Sequence, residues 1–156
     1  MNRVEHCLEI GKSQLLSQEQ MHSDVVHRGS RLATYSGFIL SLSAVMLRLC
    51  PSLIVVIVFA FITVIFIYIS IASILVGTPK KWNAGPRLDA LLDRAKKVKE
   101  NEAFVELIAE SYDQAIEFNW DVLPQKTDHI KRMAIALSVQ VVCVAALGLL
   151  SAFILM

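Results

Sequence analysis

Hydrophobic and polar positions are distributed very unevenly along this chain. Residues 52–77 and 133–156 contain no Asp, Glu, Lys, Arg or His. Each run exceeds the roughly 20 residues that a helix needs to cross a hydrocarbon core of about 30 Å. The run after Pro51 is rich in β-branched residues, from Leu53-Ile54-Val55-Val56 onward. In water they would favour a strand. In lipid the backbone must satisfy its own hydrogen bonds, so a helix is expected. Gly77 and Pro79 are expected to end it, the first as a C-terminal glycine and the second as a residue that cannot continue the ladder. A weaker run covers about residues 32–49 and includes Arg48. Only Cys50 and Pro51 part it from the second run, which predicts a helical hairpin with Arg48 snorkelling at the far interface. The third run reaches Met156, so the C-terminus is expected at or near a membrane surface.

The expected fold class is therefore an all-α integral membrane protein with three transmembrane helices. The predicted divisions are an N-terminal helix at 1–33, spans at 34–50, 52–77 and 133–156, and a helical connector at 78–132. The N-terminal segment has helical spacing at Val4, Leu8, Gly11 and Leu15, and a helix from about residue 2 into the first span is expected. In the connector, Leu88, Leu91, Leu92, Ala95 and Val98 follow the 3.6-residue period, and Phe104, Leu107, Ile108, Tyr112, Ala115 and Phe118 repeat it. Pro124 is expected to end or kink that helix. Residues 126–132 should lead directly into the third span. Neither polar segment alone can bury a useful core. They are expected to form a helical bundle with each other, the membrane or further copies, which argues for a homo-oligomer.

Composition agrees with this pattern. Of 156 residues, 55% are hydrophobic and 19% charged, and the mean hydropathy is +0.56. A disulfide-stapled secreted domain, an ordinary nucleic-acid-binding module and a disordered chain are all excluded. A cleaved signal peptide is not expected, because a charged segment precedes the first apolar run. Charge sets the expected orientation. Arg3, Lys12, Arg28 and Arg31 lie in the N-terminal segment, Arg48 lies in the tight turn, and the remaining ten of the 15 Lys and Arg lie in 78–132. The positive-inside rule then places the N-terminus and connector in the cytoplasm, and the turn and C-terminus outside.

The connector divides again by charge. Residues 80–99 are basic, with Arg94, Lys96, Lys97 and Lys99 clustered, whereas 100–121 carry carboxylates and no Lys or Arg. Glu102, Glu106 and Glu110 share one helix face at spacing four, where like charges repel. They are either a solvated face balanced by the basic half, or, in several copies, a cytoplasmic cation vestibule. The basic cluster is either solvated and attracted to anionic lipid, or a site for an anionic ligand such as a nucleotide phosphate. Within the spans, Gly37 and Ser41, and Ser138 and Gly148, stand among small residues that let helices approach closely, within one bundle or between protomers. Gln140 is the most polar side chain at depth: it either bonds a neighbouring helix or lines a pore. No ionisable group sits mid-span, which counts against a coupled transporter. There is no phosphate-cradling loop, HExxH or nucleophile elbow, and the three Cys and four His are dispersed. No enzyme activity, metal or cofactor is expected.

The stretch Leu15-Leu16-Ser17-Gln18-Glu19-Gln20, followed by His22, Asp24, Arg28 and Arg31 running into Ser36-Gly37, resembles the charged helix that enters the first span of some small bacterial membrane proteins. The segment Glu110-Ser111-Tyr112-Asp113-Gln114-Ala115-Ile116-Glu117-Phe118-Asn119, with Lys126 and Lys131-Arg132 before the last span, resembles their second cytoplasmic helix. These are transmembrane effectors of antiphage defence, the Pycsar transmembrane effectors and the SLATT-domain proteins. The chain departs from them in carrying no separate nucleotide-sensing domain. The resemblance implies an oligomeric inner-membrane effector that opens or disrupts the membrane when a nucleotide or oligonucleotide signal changes. Its implied partner is a nucleotidyltransferase or cyclase. The rival reading is a non-conducting membrane adaptor that recruits a cytoplasmic protein.

Overall fold

The structure, a computed structural model, describes residues 3–78 and 101–155, with side chains from 9 to 78 and from 103 to 152. The described residues are almost wholly helical and form α1 (Arg3–Leu49), α2 (Leu53–Gly77) and α3 (Asn101–Leu155). All three helices are long and apolar enough to cross a membrane. The chain divides into two compact units. One joins Met1–Asp24 with Pro79–Gln125, the other Val25–Thr78 with Lys126–Met156.

In the second unit, burial recurs every seventh residue. Gly29, Ser36, Ser43 and Cys50 are buried on α1, Val55, Ile62, Ile69 and Val76 on α2, and Lys126, Met133, Gln140 and Leu147 on α3. Seven-residue recurrence is the signature of helices packed with a left-handed supercoil. Each set is three heptads long, about 32 Å at the α-helical rise of 1.5 Å per residue. Two apolar clusters fill the core. Val55, Ile62, Val144 and Leu147 form one, and Ile65, Ile69, Ala72 and Met133 the other. Only 11–22% of the most apolar stretch of each helix is buried inside the chain. Most of the apolar surface therefore faces outward, as lipid or further copies require.

The turn between α1 and α2 is compact. The Ser52 amide donates to the Cys50 carbonyl at 2.8 Å. Ser52 is extended and its Oγ accepts from the Val55 amide, capping α2. At the other end of α2, the expected role of Gly77 is corrected. Gly77 is the last helical residue, and Thr78 leaves the helix in an extended conformation (φ −67°, ψ 124°). The residue before a proline is pushed out of the helical region by the proline ring. Pro79 thus ends the helix by acting on Thr78, with no left-handed glycine involved. Of the two roles expected of Pro124, ending the helix is excluded, because α3 runs through it. The proline withdraws the donor for the Trp120 carbonyl, but Val122, Leu123 and Lys126 are buried on either side of it. Packing of both flanks outweighs the missing bond.

In the first unit, α1 meets α3 through Leu15, Ala115 and Ile116, with Tyr112 beside them. Gly11 faces Tyr112, whose Cβ lies 3.5 Å from where a glycine side chain would begin.

Candidate functional site

Two regions hold the polar chemistry. The first is inside the three-helix unit, where the apolar core makes every polar atom costly unless it is bonded. Gln140 on α3 is fully buried between the two apolar clusters. Its Oε1 accepts from the Ser36 hydroxyl of α1 at 2.6 Å, and its Nε2 donates to the Ile62 carbonyl of α2 at 3.0 Å. One side chain thereby ties all three helices at one level. An apolar residue of the same size would hold them only by shape.

Lys126 occupies the same heptad position two turns of the pattern earlier. Its Nζ donates to the Val76 carbonyl at 3.0 Å and to the Thr78 carbonyl at 3.4 Å. The Thr78 hydroxyl donates to the Leu75 carbonyl at 2.6 Å. These are carbonyls at a helix C-terminus, which lack intrahelical donors and carry partial negative charge. Lys126 supplies both a donor and a compensating charge. Its burial disfavours the ammonium and lowers its pKa from the ordinary 10.5.

The other residues singled out in the spans are not gathered with Gln140. Gly37 packs on the Phe66 ring and Gly148 on the Met46 methyl. Ser41 and Ser138 are exposed, and their hydroxyls donate back to the Gly37 and Ala134 carbonyls at 3.0 Å. Such back-bonding gives an exposed hydroxyl's proton a partner on its own helix.

The second region lies in the first unit. Glu106, Glu110, Asp113, Glu117 and Asp121 are all exposed on α3. Spacings of three and four residues put them on one face. Glu102 lies in α3, but its side chain is outside the described residues, as are Arg94, Lys96, Lys97 and Lys99 altogether. A cavity of about 250 Å³ opens between Ile10, Gly11 and Gln14 of α1 and Ala109, Tyr112, Asp113 and Ile116 of α3. Nearby, Gln18 is buried. Its Nε2 donates to the Ile116 carbonyl at 3.2 Å, while its Oε1 has no hydrogen-bond partner. Among the described residues, no three His, Cys, Asp or Glu are grouped to hold a metal.

No family model, curated protein or solved structure matches the chain. Function must therefore be argued from these residues. Sequence reading reached Gln140 but missed Ser36, Gly29 and the capping role of Lys126. The available signal was the seven-residue series Lys126, Met133, Gln140, Leu147. It is hidden because the surrounding positions are also apolar.

Proposed function

We propose that this chain is an oligomeric, multi-pass protein of the bacterial inner membrane that acts as a gated pore or membrane-disrupting effector in antiphage defence. Its N-terminal segment and connector form a cytoplasmic helical bundle, and the turn at 50–52 and the C-terminus lie outside. A nucleotide or oligonucleotide, supplied by a partner nucleotidyltransferase or cyclase, contacts the basic residues Arg94, Lys96, Lys97 and Lys99. It shifts closed against open through its different affinity for the two states. Copies of α3 bring Glu102, Glu106 and Glu110 around a cytoplasmic mouth that concentrates cations.

The observation that carries this reading is the pairing of two outward-facing surfaces. The spans leave most of their apolar area unburied, and α3 leaves a row of carboxylates exposed. Assembly of several copies uses both. The resemblance to small defence effectors points the same way.

Ion flux from liposomes carrying the purified chain, with and without cyclic nucleotides and oligonucleotides, tests the reading. Gating by one of them is expected, and no flux under any of them removes the pore. Replacing Glu102, Glu106 and Glu110 together by Gln is expected to lower cation selectivity; unchanged selectivity removes the vestibule. The cavity beside Tyr112 and Asp113 favours a second reading, in which a non-conducting adaptor seats a partner's side chain there. Phage protection without flux would favour the adaptor.

A further inference from the structure

The second unit has two unlike ends. At one end, a side chain at Gly29 would begin 3.2 Å from Ile130 Cδ1 and 3.6 Å from Val76 Cγ1. That close approach fixes α1, α2 and α3 at one level. Arg28 and Arg31 flank Gly29, and Lys131 and Arg132 flank Ile130; all four are exposed. Among the described residues, Asp128 is bound to Arg132 at 2.7 Å with both side chains more than half exposed, and Asp24 is exposed one turn before Arg28. Lys126 adds a fifth cation, but it is buried and committed to the α2 carbonyls. His27 is exposed and His129 half-buried at the same level. The other end, three heptads away, holds the Cys50–Ser52 turn and one exposed base, Arg48.

We infer that the ring formed by Arg28, Arg31, Lys131 and Arg132 binds the phosphates of acidic phospholipid headgroups. This rests on the reading that the three helices span a membrane, and it adds the lipid class that one end selects. Four observations carry it. The bases are exposed at a single level, next to the start of the charge-free run at residue 133, where headgroup phosphates lie if that run crosses the hydrocarbon. The surface immediately deeper is apolar and exposed: Phe38 is 71% exposed and Ile74 67%. A lipid bound by its phosphate has its chains received there, which a free phosphate does not. Tyr35 is exposed one turn from Arg31, as aromatic residues at a membrane interface are. Three of the four bases make no described ion pair, and guanidinium forks fit phosphate oxygens with two parallel bonds. The Arg132–Asp128 bond is exposed enough for a phosphate to compete for it.

The test uses the full chain in nanodiscs of phosphatidylcholine alone and of phosphatidylcholine mixed with phosphatidylglycerol. Co-purifying lipid is measured by mass spectrometry, and the unfolding midpoint by heating. The wild type is expected to retain phosphatidylglycerol several-fold above its bulk share, to unfold at a higher temperature in the mixed discs, and to lose both effects in high salt. Inorganic phosphate added to phosphatidylcholine discs is expected to do neither. A variant with Arg28→Gln, Arg31→Gln, Lys131→Gln and Arg132→Gln is expected to retain phosphatidylglycerol at its bulk share. Should it fail to fold, the Arg28/Arg31 and Lys131/Arg132 pairs, neutralised separately, are each expected to lose part of the enrichment. Replacing Arg94, Lys96, Lys97 and Lys99 by Gln is expected to leave the enrichment in place. Undiminished enrichment in the ring variants, or its loss in the connector variant alone, overturns the inference. A chain held in neutral discs without lipid preference defeats only this inference. A chain washed from membranes by alkaline carbonate defeats the membrane reading as well.

Discussion

Gln140 and Lys126 place the most polar buried side chains of the three-helix unit at the same heptad position, and each is neutral to its surroundings only through its bonds. Replacing Gln140 by Leu keeps the volume but removes the acceptor for Ser36 and the donor to Ile62. Ser36 can turn to its own helix, so the loss is modest, about 1 kcal/mol, in line with interhelical hydrogen bonds in membranes. Reversible unfolding in micelles measures it, and no loss would mean that shape alone sets the register. Lys126→Met leaves the Val76 and Thr78 carbonyls without their donor, at a cost of about 1–3 kcal/mol. Its pH dependence has a definite sign. Burial lowers the folded-state pKa of Lys126 below 10.5, so the folded chain releases this proton before the unfolded chain does. The stability difference between wild type and Lys126→Met is therefore constant below the folded pKa and widens as pH rises toward 10.5. A difference that narrows over that window would contradict the burial. Sequence identified Gln140 as unusual because it is polar within an apolar run. It could not show that Lys126 is a cap, because the partner carbonyls lie on another helix.

Among the elements, helix existence was legible and helix termination less so. Charge-free runs located α2 and the last part of α3, since the bilayer length and the backbone's hydrogen-bonding demand leave no other structure. Pro79 ends α2 through Thr78, which a local rule covers. Pro124 does not end α3, because burial on both flanks overrides a local rule. Gly29 shows how closely these helices approach. An added methyl meets the flexible end of Ile130 at 3.2 Å. Gly29→Ala is thus expected to stay within about 1 kcal/mol of wild type, the helix preference of alanine offsetting a small shift. Gly29→Leu has nowhere to go and is expected to cost about 1–3 kcal/mol. Thermal unfolding of the two variants in one detergent decides this, and equal midpoints would show that the helices part easily.

For the whole molecule, amino-acid order alone determined that the described residues are almost wholly helical, in three helices long and apolar enough to cross a membrane. That conclusion depends on length and charge, which are one-dimensional quantities. Order alone also marked out the exposed carboxylate row of α3, because polar residues at helical spacing identify a face wherever their opposite side is apolar. It could not mark the buried face of a span. In α2 nearly every residue is apolar, so no contrast separates Val55, Ile62, Ile69 and Val76, which are buried, from Leu53, Ile57, Val64 and Ile74, which are exposed. Only packing against α1 and α3 selected them. The same packing brought Ser36, Ile62 and Gln140 to one point, set Lys126 over the end of α2, and levelled Arg28 and Arg31 with Lys131 and Arg132. Each is a relation between helices distant in sequence. Such relations depend on rotation and register, and in a lipid-compatible sequence hydrophobicity leaves both free until the helices touch.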